Sequence, residues 1–298
     1  MNKLALALTL FFTLVTVPVQ HLMARDLQEI KQEGVLRHLG VPYANFVDGA
    51  DNGLDVELMR LFAKELGVRY EYVETNWQGV IGDLTGQQLT VKGNEVAVVG
   101  RLSIRGDVIA NGLTIIPWRQ KVIDFSTPTF PTQVWLIAAS QSPLQPITPS
   151  GKLDQDIAQT KALLNGKTVL GISGTCLDHT LYDLDAVGAQ SRLFAGTLNQ
   201  LAPAVLKDDA DTSLLDVADS LVALNKWPGQ IKILGPISEQ QQMGVGFRKE
   251  SPELQQAFAR FYARVQGDGT YAALVKKYYP DVFAYYPEFF AQPKAAIQ

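Results

Sequence analysis

The stretch Asn111-Gly112-Leu113-Thr114-Ile115-Ile116-Pro117-Trp118-Arg119-Gln120-Lys121-Val122-Ile123-Asp124-Phe125-Ser126-Thr127-Pro128 lies between two β-like runs, Val108–Ala110 before it and Gln133–Ala138 after it. Moving outward, strands and helices alternate. Upstream, Val35–Val41 reads as a buried strand. Leu54–Leu66 carries Leu54, Leu58, Leu61, Phe62 and Leu66 at helical spacing and stops at Gly67. Val68–Val73 reads as a strand and Trp77–Leu84 as a short helix. Downstream, a helix over Leu153–Leu164 precedes the strand Thr168–Ile172, and Ser173-Gly174-Thr175 is expected to open a further helix. Then come the strand Arg192–Phe194, the helix Leu198–Leu206, the strand Ser213–Leu215 and a helix beginning at Asp216. Strands Ile231–Leu234 and Gly244–Phe247 and helices Pro252–Val265 and Thr270–Tyr278 follow. Such alternation predicts an α/β fold with mostly parallel sheets.

One segment breaks the pattern. Leu89–Val91 and Val96–Val99 flank Lys92-Gly93-Asn94, and Gly-Asn between β-like runs signals a hairpin. The reading is an inserted hairpin over about 88–104. Ser140–Ser150, rich in Ser, Pro and Gln, reads as a loop just past an interdomain crossing.

Composition excludes several classes. The 298 residues amount to about two domains. With 47% hydrophobic and 19% charged residues the chain is not intrinsically disordered. Basic residues number 26 against 30 acidic, with no basic run, which argues against nucleic acid as a partner. One cysteine, Cys176, makes no internal disulfide and no structural zinc or iron–sulfur site. Residues 1–24 read as a secretory signal peptide. Lys3 precedes the apolar run Leu4–Val19, and Leu22-Met23-Ala24 puts a small residue before Arg25. The competing reading is an N-terminal anchor helix, for which the run is short. Removal of 1–24 would leave 25 basic against 30 acidic residues, a net charge of -5. No cysteine near the cut supports a lipid anchor, so the expected location is the periplasm of a bacterium.

Enzyme signatures are lacking. There is no Walker loop, HExxH, GxSxG or GxGxxG after a strand. Beyond the leader only His38 and His179 remain; His38 reads as a structural residue within a strand, and two distant histidines do not make a metal site. No metal or cofactor is expected.

The quoted stretch resembles the signature of the bacterial extracellular solute-binding proteins of family 3, the type II periplasmic binding proteins that feed amino-acid ABC transporters. That pattern runs Gly-hydrophobic-Ser/Thr-Ile-Thr-x-x-Arg, then x-x-x-hydrophobic-Asp-Phe-Ser-x-Pro. Ile116 replaces the common second Thr. Gly34-Val35-Leu36-Arg37, Gly53-Leu54-Asp55-Val56-Glu57-Leu58, Gly244–Lys249 and Gly267–Tyr271 resemble further family segments. The hairpin and the aromatic tail Tyr285–Phe290 are additions. The resemblance implies two α/β lobes joined by two crossovers, with ligand in the cleft and hinge closure around it. Lobe one would hold 25–135 and 242–298, and lobe two 136–241.

It also implies a site. Arg119 would clamp the ligand's α-carboxylate through its planar fork; otherwise it is a surface arginine in a turn. Thr114 would add donors and the Gly112 carbonyl would accept from the ligand's ammonium. Asp216, from the opposite lobe, would be the ammonium's counter-charge, and it also suits a helix N-cap. Thr175 and Cys176 would offer amides at a helix N-terminus, Cys176 standing where the family usually has a hydroxyl residue; its rival role is a small buried hydrophobe. Tyr43 and Trp77 match rings that sandwich the ligand, with core packing as the alternative. Gly40, where relatives selecting cationic side chains carry an acid, argues against Lys or Arg as ligand. The implied function is a monomeric periplasmic receptor for a neutral or polar amino acid that serves an ABC transporter permease. Two rivals remain. One is a dehydratase-like enzyme on the same scaffold, since Cys176 and His179 would share a helical face. The other is an accessory or sensor subunit that docks through the hairpin and tail.

Overall fold

A computed structural model describes residues 25–291. The signal-peptide reading of 1–24 falls outside the described residues. In chain order the strands are β1 (Val35–Gly40), β2 (Arg69–Glu74), β3 (Gln87–Lys92), β4 (Glu95–Arg101), β5 (Val108–Ile109), β6 (Asp124–Phe125), β7 (Phe130–Thr132), β8 (Val134–Ala139), β9 (Thr168–Gly171), β10 (Gln190–Leu193), β11 (Thr212–Asp216), β12 (Ile231–Pro236), β13 (Gln241–Met243) and β14 (Gly246–Phe247). They form two five-stranded sheets, β2-β1-β5-β14-β6 and β10-β9-β11-β8-β12, and two ribbons, β7·β13 and β3·β4.

The first sheet is covered by helices whose apolar stripes face it. Leu54–Leu66 buries Leu54, Val56, Leu58, Met59, Phe62 and Ala63, and ends where Gly67 turns left-handed at φ 74°. Pro252–Gly267 buries Leu254, Phe258, Phe261, Tyr262 and Val265. Each such Leu or Phe contributes about 1.5–3 kcal/mol through burial. In the second sheet every residue of β8 and β11 is buried; β8 is accordingly a continuous apolar run rather than an alternation, while β11 buries Thr212, Ser213 and Asp216 beside Leu214 and Leu215.

The sheets are mixed, which corrects the expectation of mostly parallel pairing. β1 pairs parallel with β2 and β5, and β9 parallel with β10 and β11. β14 runs antiparallel to β5 and β6, and β8 antiparallel to β11 and β12. The reason is connectivity. β8 and β14 are entered directly from the β7·β13 ribbon, with no helical crossover of the kind that parallel pairing requires. That ribbon pairs Thr132 with Gln241 and Phe130 with Met243, and the chain passes between the two sheets along it.

The hairpin is present as β3·β4, turning at Gly93-Asn94 with Gly93 at φ 57°. The aromatic tail folds into two short helices, Val282–Tyr285 and Pro287–Ala291. It lies along the ribbon and β8: Tyr285 meets Trp135 at 5.7 Å between ring centroids, and Phe290 meets Phe130 at 6.3 Å. A cavity of about 760 Å³ lies between tail and ribbon, with Gln241 and Tyr286 in its wall.

Candidate ligand-binding cleft

The loop after β5 is held by a residue that the sequence reading quoted but did not place in the site. Asp55, buried at the start of its helix, accepts from the Gly112 amide at 2.7 Å. Burial pushes its carboxyl up to about 7, the Gly112 hydrogen bond pulling the other way. Gly112 sits at φ 66°, and a Cβ there would come within 2.5 Å of the Phe46 ring, so no side chain fits. Thr114 bridges to Met243, and Pro117 then opens a short helix, Pro117–Val122, that buries Trp118 and Arg119.

Arg119 is 1% exposed. One of its terminal nitrogens donates to the Thr114 carbonyl at 2.9 Å, the other to the Gly174 carbonyl at 3.4 Å. Its guanidinium carbon lies 5.7 Å from the Trp77 ring and 5.4 Å from the Trp118 ring. Among the described residues Nε has no partner and Arg119 makes no ion pair with any carboxylate. Burial lowers its pKa to about 10, so it stays charged at neutral pH.

From the second sheet, Asp216 ends β11 and caps the helix Val217–Lys226, accepting from the Asp219 amide at 3.1 Å. Its other oxygen accepts from the Tyr43 hydroxyl, and the Cys176 sulfur lies 4.0 Å away. Burial pushes the carboxyl up to about 6, with the Tyr43 hydroxyl and the Asp219 amide opposing. Asp216 is 1% exposed and makes no ion pair among the described residues. Beside it Asp219, also buried, is driven well above the usual carboxylate range by burial and by the Asp216 charge.

The lobes meet at this place. Tyr43 reaches Asp216, Arg119 reaches Gly174, and the Ala44 amide donates to Asn199 Oδ1 at 2.9 Å. Tyr43 and Trp77 are together, but their rings meet edge-on, at 5.5 Å and 83°. Tyr43 is fully buried and stacks on Phe46 at 6.0 Å and 17°.

One expectation is overturned. Thr175 and Cys176 do not open a helix. Thr175 Oγ1 donates to the Ile172 carbonyl at 2.8 Å and accepts from the Leu177 amide at 3.0 Å, while the Ile172 amide donates to the Leu177 carbonyl at 3.2 Å. With Gly174 at φ 73°, these bonds close a tight loop, and the next helix is a single 3₁₀ turn at His179–Leu181 capped by Asp178. The polar groups of Thr175 are used within the loop, so the helix-terminus argument for anion binding fails. Cys176 and His179 share no helical face, and no hydrogen bond joins them among the described residues. Burial, with the Asp216 charge next, pushes the Cys176 thiol up to about 12, far from the range of a nucleophilic thiolate.

His38 is buried between Tyr70 Oη at 2.8 Å and the Ala110 carbonyl at 2.6 Å, with its pKa lowered to about 4 by burial, a structural role. Residues missed by the sequence reading are Asp55, Asp219, Tyr182 and Asn111. Tyr182 donates to the Cys176 carbonyl, and both polar atoms of the buried Asn111 side chain lack a partner among the described residues. Their signal is burial in the folded chain, which spacing does not report. Among the described residues no cluster of His, Cys, Asp or Glu suits a metal ion, and no helix is long and apolar enough to cross a membrane.

Two α/β lobes joined through a paired ribbon are the architecture of the type II periplasmic binding proteins. The family pattern of the bacterial extracellular solute-binding proteins, family 3, matches residues 100–281, and the chain belongs to that family. It is 26% identical over 236 residues to the L-cystine-binding protein TcyJ of Escherichia coli (strain K12), covering 78% of this chain and 76% of that one. Among solved structures, the P235GK mutant of ArgBP from T. maritima is similar with a TM-score of 0.67 and 26% identity, over 85% of this chain and 99% of that one. The ancestral amino acid-binding protein AncCDT-1, described as a precursor of cyclohexadienyl dehydratase, is similar with a TM-score of 0.64 and 25% identity, over 85% and 98%.

Proposed function

We propose that this protein is a periplasmic receptor that captures a zwitterionic ligand, a neutral or polar amino acid, between lobes of about 25–135 with 242–298 and about 136–241, and delivers it to an ABC transporter permease without turning it over. The observation that carries the reading is the pair Arg119 and Asp216. Each is buried, each lacks an ion-pair partner among the described residues, and they come from opposite lobes. An isolated buried charge is costly, and an α-amino acid supplies both missing partners at once. Its carboxylate would take the Arg119 fork and the Thr114 side, and its ammonium would join the Tyr43 hydroxyl on Asp216, with the Gly112 carbonyl as a further acceptor. Thr175 and Cys176 would form part of the facing wall, and Trp77 would cover the guanidinium. The named ligands of the relatives, cystine and, in the arginine-bound form of ArgBP, arginine, support an amino acid as the class. The raised thiol of Cys176 supports binding over catalysis.

A thermal-shift screen of the purified mature chain against the twenty amino acids, organic acids, sugars and polyamines tests the reading. A ligand at 100 times its Kd should add about 2.7 kcal/mol. A response to amino acids that Asp216→Asn removes is the expected result; a response only to sugars or polyamines sinks it.

The pH dependence follows from Asp216. Ammonium binding needs the carboxylate, so affinity should fall about tenfold per pH unit below 6. Stability runs the other way. A folded-state pKa raised from 3.8 to about 6 favours the protonated folded form, a contribution complete below 3.8 and lost as pH rises through 6. Wild type should therefore lose on the order of 2 kcal/mol relative to Asp216→Asn between pH 4 and 6.5. The comparison removes the contribution of His38 and reports Asp216 together with its coupling to Asp219, and parallel urea melts of the two proteins measure it.

A further inference from the structure

The β3·β4 hairpin is built onto the cleft rather than away from it. A Cβ at Gly82 would come within 2.8 Å of the Gln87 carbonyl oxygen, so the hairpin sits directly on the helix Val80–Thr85. The Leu102 amide bonds the Gly86 carbonyl at 2.8 Å, and Lys121, from the Arg119 helix, donates to the Asn94 carbonyl at the hairpin tip, also at 2.8 Å. Beneath it lies a cavity of about 250 Å³ whose walls include Gln87, Leu89 and Val91 from the hairpin, with Trp77, Trp118 and Gly174 opposite. The last three are the groups that surround the Arg119 guanidinium. None of the lining side chains carries a charge. The indole N–H of Trp77 is buried with no acceptor among the described residues.

We propose that this hairpin-roofed cavity is a specificity subsite that takes a large, uncharged group of the ligand held by Arg119, flat or amide-bearing, between the tryptophans and the glutamine- and valine-lined hairpin. The proposal rests on the amino-acid reading above. A second ammonium, guanidinium or carboxylate placed there would be desolvated among neutral walls. A cation would also meet the charge of Arg119, whose guanidinium already lies over one face of each tryptophan. A methyl group would leave the cavity nearly empty, and its contacts unmade.

Calorimetric titration with L-tryptophan, L-glutamine, L-alanine, L-arginine and L-glutamate tests this on wild type, on Val91→Trp and on Leu89→Trp. The second filling variant serves should the first fail to fold. Tryptophan or glutamine should bind about tenfold or more tighter than alanine, with arginine and glutamate weakest. Filling the cavity should shrink that gap to about threefold or less while alanine binding is kept. Alanine binding as tightly as the larger neutral probes overturns the subsite alone, as does preference for arginine or glutamate. So does equal weakening of alanine and tryptophan in both filling variants. Binding of none of the five overturns the subsite and the amino-acid reading together.

Discussion

Replacing Arg119 with Met should abolish amino-acid binding while leaving the protein as stable as wild type or more so. The two effects have one origin. Arg119 is buried with its guanidinium against two tryptophan rings and two backbone carbonyls, and no carboxylate of the described chain neutralises it. An apolar side chain of similar length keeps the tryptophan packing and removes a desolvated charge, an exchange that is often neutral or favourable. It forfeits two hydrogen bonds to carbonyls, of about 1 to 3 kcal/mol each, which sets the limit on any gain. In the complex the balance reverses. The ligand's carboxylate would face an apolar methionine, and the loss should reach about 3–5 kcal/mol, or roughly two to three and a half orders of magnitude in Kd. Calorimetry for affinity and thermal melts without added amino acid measure the two halves. A Tm falling by more than about 10 °C would make Arg119 a structural residue, and retained affinity would remove it from the site.

The converse is expected of Asp107→Ala, with a large loss of stability and unchanged affinity at temperatures where the variant is folded. Asp107, 1% exposed, lies 3.6 Å from Arg25 and 3.6 Å from Arg248, which are 4% and 1% exposed. It also accepts from the Arg37 amide at 2.8 Å. Burial pushes its carboxyl up to about 6 despite the two cations. Without it, the buried Arg248 is left to the Leu84, Gly106 and Arg25 carbonyls, and Arg25 to the Val35 carbonyl and to the half-exposed Glu33 at 3.3 Å. Removing the shared partner should cost about 3–5 kcal/mol and lower the Tm by on the order of 10 °C. The cluster ties the start of the described chain to the segment after β14, and none of its members touches Arg119 or Asp216. A Tm change under about 2 °C would show that the arginines find solvent or other partners.

These two sites differ in how they could be read from sequence. Arg119 was nominated because its stretch resembles the family signature, in which an arginine stands at that place; otherwise it read as a surface arginine in a turn. Asp107 lies 82 positions from Arg25 and 141 from Arg248, and the three carry no local pattern. The same division holds for Asp216. Its cap on Val217–Lys226 is local and was foreseen, while its contact with Tyr43 joins residues 173 positions apart. Asp55 stood in a quoted motif, yet its grip on the Gly112 amide appears only in the folded chain. At Thr175 the reading failed for a different reason. A Ser-Gly-Thr run suits a helix start, but the Thr175 hydroxyl has nearer partners in Ile172 and Leu177, and side chain-to-backbone bonds of this kind compete with helix formation.

What the sequence by itself determined is what short-range physics encodes. Apolar period and a left-handed glycine bounded the helix Leu54–Leu66, and the Gly-Asn turn set the hairpin. The helix Thr270–Tyr278 and the capped helix after Asp216 follow from the same rules, because propensity, capping and turn chemistry act over a few residues. The tertiary structure alone decided the direction of β8 and β14, the meeting of Tyr43 with Asp216, the tryptophan walls around Arg119 and the neutral cavity beneath the hairpin. It also decided which charges are unpaired and which carboxyls rise, since those depend on desolvation by residues brought together from distant parts of the chain.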